Sequence, residues 1–278
     1  MFWKRNNPYD FHDYTNPEGS ASSHWRKAIG YSAPLVAGVI LSVYFGMWDP
    51  VPPPLPENLC PVGAVPATQV VVLVDKTDDY TPDQQHALES SLREHLHGLR
   101  LGERLTLYQM TPGANAVVQL LYDRCRPKTE AEADPIQENP KSVERDYQEQ
   151  FVQPFEHALA ALKLPEPSAY SPILEALYAI AHEAPLAEPA ERRVIEIWSD
   201  MLAKSELIDM YQPNYSFEQL RQADSLYLEV LGVRGSDVRI FQLANRYPAY
   251  QNGRHAKFWA EYFRHARVAE NQLAMRRL

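Results

Sequence analysis

A cluster of oxygen-bearing side chains follows the first long hydrophobic run that is rich in valine. Residues 70–81 read VVVLVDKTDDYT, so Asp75 ends the run, and two more aspartates and two threonines follow it. Carboxylates this close together repel one another, and a divalent cation, which prefers oxygen ligands, would offset that repulsion. The other interpretation is a polar turn that leads into a helix capped by Thr81. The residues of this segment alone leave both interpretations open.

The chain after residue 68 predicts an α/β domain. The segment QVVVLVD lacks polar alternation, which is typical of a strand buried on both faces. Four more strands are predicted at ERLTLYQM, NAVVQLLYD, RRVIEIWSD and DVRIFQL. Helices are predicted at TPDQQHALESSLREHLHGL, about 142–163, about 172–184, SFEQLRQADSLYLEVLG and 255–276. Alternating strands and helices are typical of a mostly parallel central sheet flanked by helices.

Two of the predicted buried strands end on an aspartate, at Asp75 and at Asp200. In sheets of this kind, ligands bind in the crevice beyond the carboxyl ends of the strands. Ser171 lies between the two aspartates in the sequence, where it is expected to cap the helix predicted at about 172–184. The sequence therefore predicts that polar side chains collect at one edge of the sheet.

The order of these motifs resembles the von Willebrand factor type A (VWA) family. In that family a D-x-S-x-S loop follows the first strand, a threonine begins a later helix, and an aspartate ends the fourth strand. Together they form a metal-ion-dependent adhesion site. The matching segments here are DKTDD, SPILEAL and IWSD, and the resemblance covers about residues 68–276. It implies a VWA-like fold and a site for Mg²⁺, or for Mn²⁺ or Ca²⁺, with the ligands Asp75, Thr77, Asp79, Ser171 and Asp200.

The resemblance also implies a protein that binds other proteins rather than an enzyme. A cation held by hydroxyls, with carboxylates behind its waters, keeps an open position for a partner's carboxylate. Three features depart from the family. Asp79 stands where the family has serine, and direct ligation by its carboxylate would lower the net charge of the metal. Met201 stands where the family has glycine, and the sequence predicts five strands where the family has six.

The loops that leave the fourth and fifth predicted strands contain residue types enriched at the centres of protein interfaces. These loops cover residues 201–215 and 245–254. The predicted partner-binding residues are Met210, Tyr211, Tyr215, Tyr247 and Tyr250. The alternative is that these side chains pack onto the domain itself.

The sequence leaves two other functions open. The first is a metal-free structural scaffold subunit of a membrane complex. The second is a haloacid-dehalogenase-like phosphohydrolase, with Asp75 as nucleophile, Lys204 on the phosphate and Asp200 on Mg²⁺. That chemistry needs an acid/base aspartate two positions after the nucleophile, where Thr77 stands. We therefore expect no enzymatic activity.

An uncharged and largely apolar stretch covers residues 28–48. At this length a helix is about 30 Å long, enough to cross a hydrocarbon core. Basic residues precede the stretch and none follows before Lys76, which predicts a cytoplasmic N-terminus. The sequence thus predicts a cytoplasmic tail at 1–27, a single transmembrane helix at 28–48 in the cell (inner) membrane, an extended proline-rich stalk at 49–68 and a periplasmic or extracellular VWA-like domain at 69–278.

The two cysteines, Cys60 and Cys125, show no zinc-ligand spacing. Cys60 precedes the first strand, and Cys125 ends a strand that is expected to run antiparallel at the sheet edge. Both therefore lie at the same end of the predicted sheet. In an oxidising compartment we expect them to form a disulfide, and two unpaired thiols are the alternative.

The composition is that of a folded, acidic protein. Charged residues make up 23% of the chain and hydrophobic residues 45%, which is ordinary for globular proteins. The net charge of −9 argues against nucleic acid, because phosphate binding needs a basic surface. The expected partners are another protein in a membrane-associated complex and, through residues 28–48, the lipid bilayer.

Overall fold

The computed structural model describes residues 34–44, 56–77, 79–112, 117–162, 168–223, 226–244 and 248–278. The chain divides into two compact units, Met1–Pro54 and Leu55–Leu278. In the first unit, residues 34–44 form one exposed helix, α1. Within the described ranges no helix is both long enough and apolar enough to cross a membrane. The predicted tail, the rest of the predicted span and the stalk before residue 56 lie outside the described residues.

The second unit is built on one six-stranded sheet with the order β3-β2-β1-β4-β5-β6. Its strands are β1 (Thr68–Asp75), β2 (Arg104–Met110), β3 (Val118–Cys125), β4 (Arg192–Ser199), β5 (Asp237–Gln242) and β6 (Leu273–Arg277). Strands β2 and β3 are antiparallel, and every other neighbouring pair is parallel. The predicted α/β class with a mostly parallel sheet is therefore confirmed.

Seven α-helices of the described residues belong to this unit. They are α2 (Pro82–Gly98), α3 (Pro140–Tyr147), α4 (Gln153–Ala161), α5 (Ile173–His182), α6 (Ala184–Ala187), α7 (Phe217–Ala223) and α8 (Gly253–His265). Helix α2 begins with the expected capping box, in which Thr81 and Gln84 exchange side chain to backbone hydrogen bonds. A π-helical turn joins α3 to α4, so the predicted helix at about 142–163 is one irregular helix.

Alternate residues of β1 pack on opposite sides of the sheet, as the pleat of a strand requires. Val71 and Leu73 belong to a core cluster with α5 and α8. Val72 and Val74 belong to a second cluster with α2 and the helices around Phe155. Helices therefore cover both faces of β1, which explains its uninterrupted hydrophobic sequence.

The end of the chain differs from the prediction. Helix α8 ends at His265, and Leu273–Arg277 forms β6 beside β5 instead of continuing a helix to residue 276. Arg267 has a left-handed φ of 62°, which turns the backbone after α8. Most of β6 is exposed, so its sequence carries no apolar alternation that would predict a strand. The sheet thus has six strands and not five.

A disulfide joins Cys60 to Cys125. Cys125 is the last residue of the antiparallel edge strand β3 and lies beside Arg104, the first residue of β2. The bridge is therefore at the amino end of the parallel strands, away from their carboxyl ends. It ties the segment before β1 to the edge of the sheet.

Candidate functional site

Asp75 is the centre of a buried polar cluster at the carboxyl end of β1. Only 1% of Asp75 is exposed. Its Oδ1 accepts hydrogen bonds from the backbone N–H of Thr77, at 2.8 Å, and from Thr77 Oγ1, at 2.6 Å. Its Oδ2 accepts from Ser199 Oγ at 2.8 Å and from Ser171 Oγ at 3.3 Å. Three hydroxyls therefore surround one carboxylate.

Strand pairing and a local turn place two of these hydroxyls. Strands β1 and β4 are parallel with Val74 beside Trp198, so the next residues, Asp75 and Ser199, are level with each other. Thr77 lies two residues after Asp75, which is the spacing at which an aspartate side chain bonds to its own backbone in a turn. The carboxyl ends of two neighbouring strands thus build most of the cluster.

Ser171 reaches the cluster from the segment before α5. Its backbone N–H donates to Lys204 O at 2.8 Å, and the Lys204 N–H donates to Ser171 O at 2.9 Å. Pro172 occupies the position before α5, without a side-chain capping bond. The expectation that Ser171 caps this helix is therefore wrong, because its hydroxyl donates to Asp75 instead.

Asp200 is buried in the turn that follows β4. Its Oδ1 accepts a hydrogen bond from the N–H of Leu202 at 2.7 Å. Met201, between them, has a left-handed φ of 62°, a conformation that glycine adopts at the least cost. The carbonyl of Met201 accepts from Trp259 Nε1 at 2.8 Å and lies 2.7 Å from His255 Nε2. Side chains of α8 therefore hold the backbone of this turn.

Burial raises the pKa of the Asp75 carboxyl to about 6, and the charge of Asp200 adds to the rise. The hydrogen bonds from Thr77 and Ser199 act in the opposite direction, because they stabilise the ionised form. Near neutral pH the carboxylate stays mostly ionised. The cluster therefore places negative charge in a buried position where a cation would be stabilised.

Asp79 differs from the other predicted ligands in its exposure. Asp75, Thr77, Ser171 and Asp200 are all buried, whereas Asp79 is exposed. Ser199 is not among the site residues predicted from the sequence, although it directly precedes Asp200 at a predicted strand end. What was not visible is the register that sets its hydroxyl beside Asp75.

The described residues contain no group of three or more His, Cys, Asp or Glu side chains that could hold a metal ion. The donors at Asp75 are instead mainly hydroxyls, which hard dications such as Mg²⁺ accept as ligands. A hydroxyl has one proton to donate and two lone pairs. Thr77 and Ser171 give their protons to Asp75, so their lone pairs remain available to a cation. Ser199 also accepts from the Met201 N–H at 2.9 Å, which suits it to hold Asp75. The residues present therefore fit a hydroxyl-ligated divalent cation.

The predicted partner-binding residues have different environments. Met210 is fully buried and belongs to the core, so its side chain packs within the domain, which corrects the prediction for this residue. Tyr211 and Tyr215 are half-buried, and 36% of Tyr250 is exposed. Tyr247 lies outside the described residues.

Comparisons with known proteins give fold similarities at low identity. No protein-family model matches the sequence, and no curated protein matches it significantly. One similar solved structure is a von Willebrand factor type A protein from Catenulispora acidiphila, with 14% identity, a TM-score of 0.38, and coverage of 65% of this chain and 34% of that one. Another is the VWA domain of SpRpn10, with 12% identity, a TM-score of 0.40, and coverage of 76% and 88%. A third is the pilus adhesin SpaC from Lactobacillus rhamnosus GG, with 10% identity, a TM-score of 0.47, and coverage of 77% and 28%. This chain spans about a third or less of the first and third proteins.

Proposed function

We propose that the second unit is a VWA-like module that binds another protein at the carboxyl ends of its strands, with the help of a divalent cation. The observation that carries this proposal is the arrangement around Asp75. Thr77 and Ser171 donate to its carboxylate and keep lone pairs for a cation. Thr77 and Ser171 would hold the cation directly, while Asp75 and Asp200 would supply the balancing negative charge.

A bound Mg²⁺, Mn²⁺ or Ca²⁺ would supply a positive charge that a carboxylate of the partner protein can meet. The chain's own contribution is to fix the hydroxyls before the cation arrives. Ser199 and the Thr77 backbone hold the Asp75 carboxylate, and the backbone bonds to Lys204 hold Ser171. A site that is ordered in advance loses less entropy when it binds its ligand.

The proposal includes a membrane anchor at residues 28–48, with the N-terminus in the cytoplasm and the second unit on the opposite side. Its support is the uncharged sequence and the basic residues that precede it. The disulfide between Cys60 and Cys125 supports an oxidising compartment for the second unit. Protease added outside intact cells or spheroplasts should digest the second unit. Protection that is lost only after lysis would refute this orientation.

A metal-free scaffold is the second candidate. It is favoured by the four hydrogen bonds that the Asp75 carboxylate already accepts from its own chain. Neither candidate includes catalysis. Lys204, which a phosphohydrolase would use on phosphate, has its Nζ 5.6 Å from the centre of the Tyr211 ring.

Thermal unfolding of the full-length protein during titration with Mg²⁺, Mn²⁺ or Ca²⁺ separates the two candidates. A cation that binds only the folded state adds about 2.7 kcal/mol of stability at a hundred times its Kd. We expect a rise in Tm that a chelator reverses and that Ser171→Ala abolishes. Ser90→Ala, at an exposed serine on α2, is the matched control and should keep the rise.

An unchanged Tm at millimolar metal would refute the proposal that a divalent cation binds. The metal-free scaffold would then be the remaining candidate. A pulldown from detergent-solubilised membranes, with and without chelator, then tests the partner. Under the metal-dependent function, proteins recovered without chelator should be lost with it. Recovery that is unaffected by the chelator would favour the scaffold.

A further inference from the structure

A cleft of about 510 Å³ lies between the loop after β4 and the segment that leads into α8. Tyr211, Tyr215 and Tyr250 line it together with Asn252 and Arg254, and we call it the tyrosine cleft. Among the described residues that line the cleft, none has an acidic side chain. This contrasts with the chain as a whole, whose net charge is −9.

Two cationic side chains lie against the tyrosine rings of the cleft. Lys204 Nζ is 5.6 Å from the centre of the Tyr211 ring, and Arg254 Cζ is 5.9 Å from that of Tyr215. The face of an aromatic ring attracts a cation at such distances. A cationic ligand would therefore be repelled by charges that already occupy these positions, and an anionic ligand would be attracted.

The walls of the tyrosine cleft are held by packing and by a helix cap. The rings of Tyr211 and Tyr250 meet edge to face at 5.0 Å, and Tyr215 meets Phe258 at 6.0 Å. Asn252 Oδ1 accepts from the N–H of Arg254 at 2.9 Å, which places Arg254 in the first turn of α8. A cleft with ordered walls binds at a lower entropic cost than a flexible loop.

We infer that the tyrosine cleft binds an extended acidic segment of the partner protein. A carboxylate of that segment lies near Arg254, and its apolar parts lie on the tyrosine rings, which combine a large apolar surface with a polar tip. The inference rests on the proposed function as a partner-binding module and specifies the chemistry of the partner.

The tyrosine cleft and the Asp75 cluster are adjacent and can be tested separately. Lys204 joins them, because its backbone pairs with Ser171 and its side chain lies over Tyr211. Arg254, in contrast, belongs to α8 and lines the cleft. A substitution of Arg254 therefore tests the cleft, and a substitution of Ser171 tests the cation.

The experiment uses fluorescence anisotropy with purified full-length protein, in detergent and in the presence of a chelator. The probe is a labelled synthetic peptide in which proline alternates with glutamate, because such a peptide is extended in advance. Matched peptides carry glutamine or lysine in place of glutamate. We expect the glutamate peptide to bind about tenfold more tightly than the glutamine peptide, which corresponds to about 1.4 kcal/mol. The lysine peptide should not bind, and added salt should weaken the binding of the glutamate peptide.

Three variants locate the binding. Arg254→Gln should weaken the binding of the glutamate peptide about tenfold. Tyr250→Ala should weaken the binding of the glutamate and glutamine peptides to the same extent. Arg264→Gln, at an exposed arginine of the same helix that pairs with Glu270, is the matched control and should bind as the natural protein does. Equal binding of the glutamate and glutamine peptides, or no effect of Arg254→Gln, would overturn the inference.

Failure of this inference can be told apart from failure of the proposed function. Metal-dependent stabilisation without peptide binding would support cation binding at the Asp75 cluster. It would overturn the inference that the tyrosine cleft binds an acidic segment. Peptide binding that persists in Ser171→Ala, together with no metal-dependent rise in the Tm of the natural protein, would support the cleft and refute the cation.

Discussion

Ser199 provides the most direct test of how the Asp75 carboxylate is held. Its Oγ donates to Asp75 Oδ2 at 2.8 Å and accepts from the Met201 N–H at 2.9 Å, and the residue is buried. A hydrogen bond to a charged group contributes about 1.5–3 kcal/mol, and an unsatisfied buried N–H costs about 1–3 kcal/mol. We therefore expect Ser199→Ala to lower the free energy of unfolding by about 3 kcal/mol, the lower part of that combined range.

Urea denaturation at neutral pH with a chelator measures this loss. Ser171→Ala serves as the comparison, because its bond to Asp75 Oδ2 is longer, at 3.3 Å, and we expect a cost of about 1 kcal/mol. Ser90→Ala on the exposed face of α2 should change stability by less than about 0.5 kcal/mol. A larger loss for Ser171→Ala than for Ser199→Ala would refute the reasoning, because the shorter bond would then not be the stronger one.

The pH dependence of Ser199→Ala adds a second readout. Because the Ser199 hydrogen bond lowers the pKa of Asp75, its removal should raise that pKa above about 6. A carboxyl whose pKa is higher in the folded state than in the unfolded state favours folding at low pH, and that contribution is lost as the pH rises through the folded value. The destabilisation by Ser199→Ala should therefore be smaller at about pH 5 than at about pH 8. Equal losses at the two pH values would contradict this.

Three further predictions concern other parts of the second unit. Burial alone would raise the pKa of Glu196, but its bonds to His95 and Arg239 lower it overall. The resulting stability is present above the unfolded pKa and lost in acid, so Glu196→Gln should reduce this acid dependence in urea titrations. Replacing Cys60 and Cys125 by serine opens a bridge that spans 65 residues and should cost up to about 4 kcal/mol, measured as a lower Tm; an unchanged Tm would contradict the bridge. Met201→Gly should relieve the left-handed φ but leave a cavity, because the side chain is fully buried, with a net loss of about 2 kcal/mol in denaturation; a gain in stability would contradict this.

Features that depend on neighbouring residues were predictable from the sequence. The uninterrupted hydrophobic run of β1 predicted burial on both faces, which the two core clusters confirm. The capping box of α2 depends on Thr81 and Gln84 alone, and it was predicted from their spacing. Asp75 and Asp200 could likewise be predicted at strand ends, because a strand and the turn after it are formed by consecutive residues.

Three features that depend on distant residues were not predictable. Strand β6 is mostly exposed and is stabilised by pairing with β5, so its own sequence predicted a helix. The sequence predicted Met210 in a partner-binding loop, yet its side chain is completely buried in the fold. Ser171 precedes a helix, as capping residues do, but its hydroxyl is directed to a carboxylate 96 residues away in the sequence.

The sequence by itself determined the α/β class, the charge of the chain and the presence of oxygen side chains at two strand ends, because periodicity and composition are properties of the chain. Only the tertiary structure decided which of these side chains meet. The parallel register of β1 and β4 sets Ser199 level with Asp75, and the backbone pairing with Lys204 brings in Ser171. Asp79, two residues beyond Thr77, is left exposed, because the direction of a side chain in a turn depends on backbone geometry that the order of residues does not state.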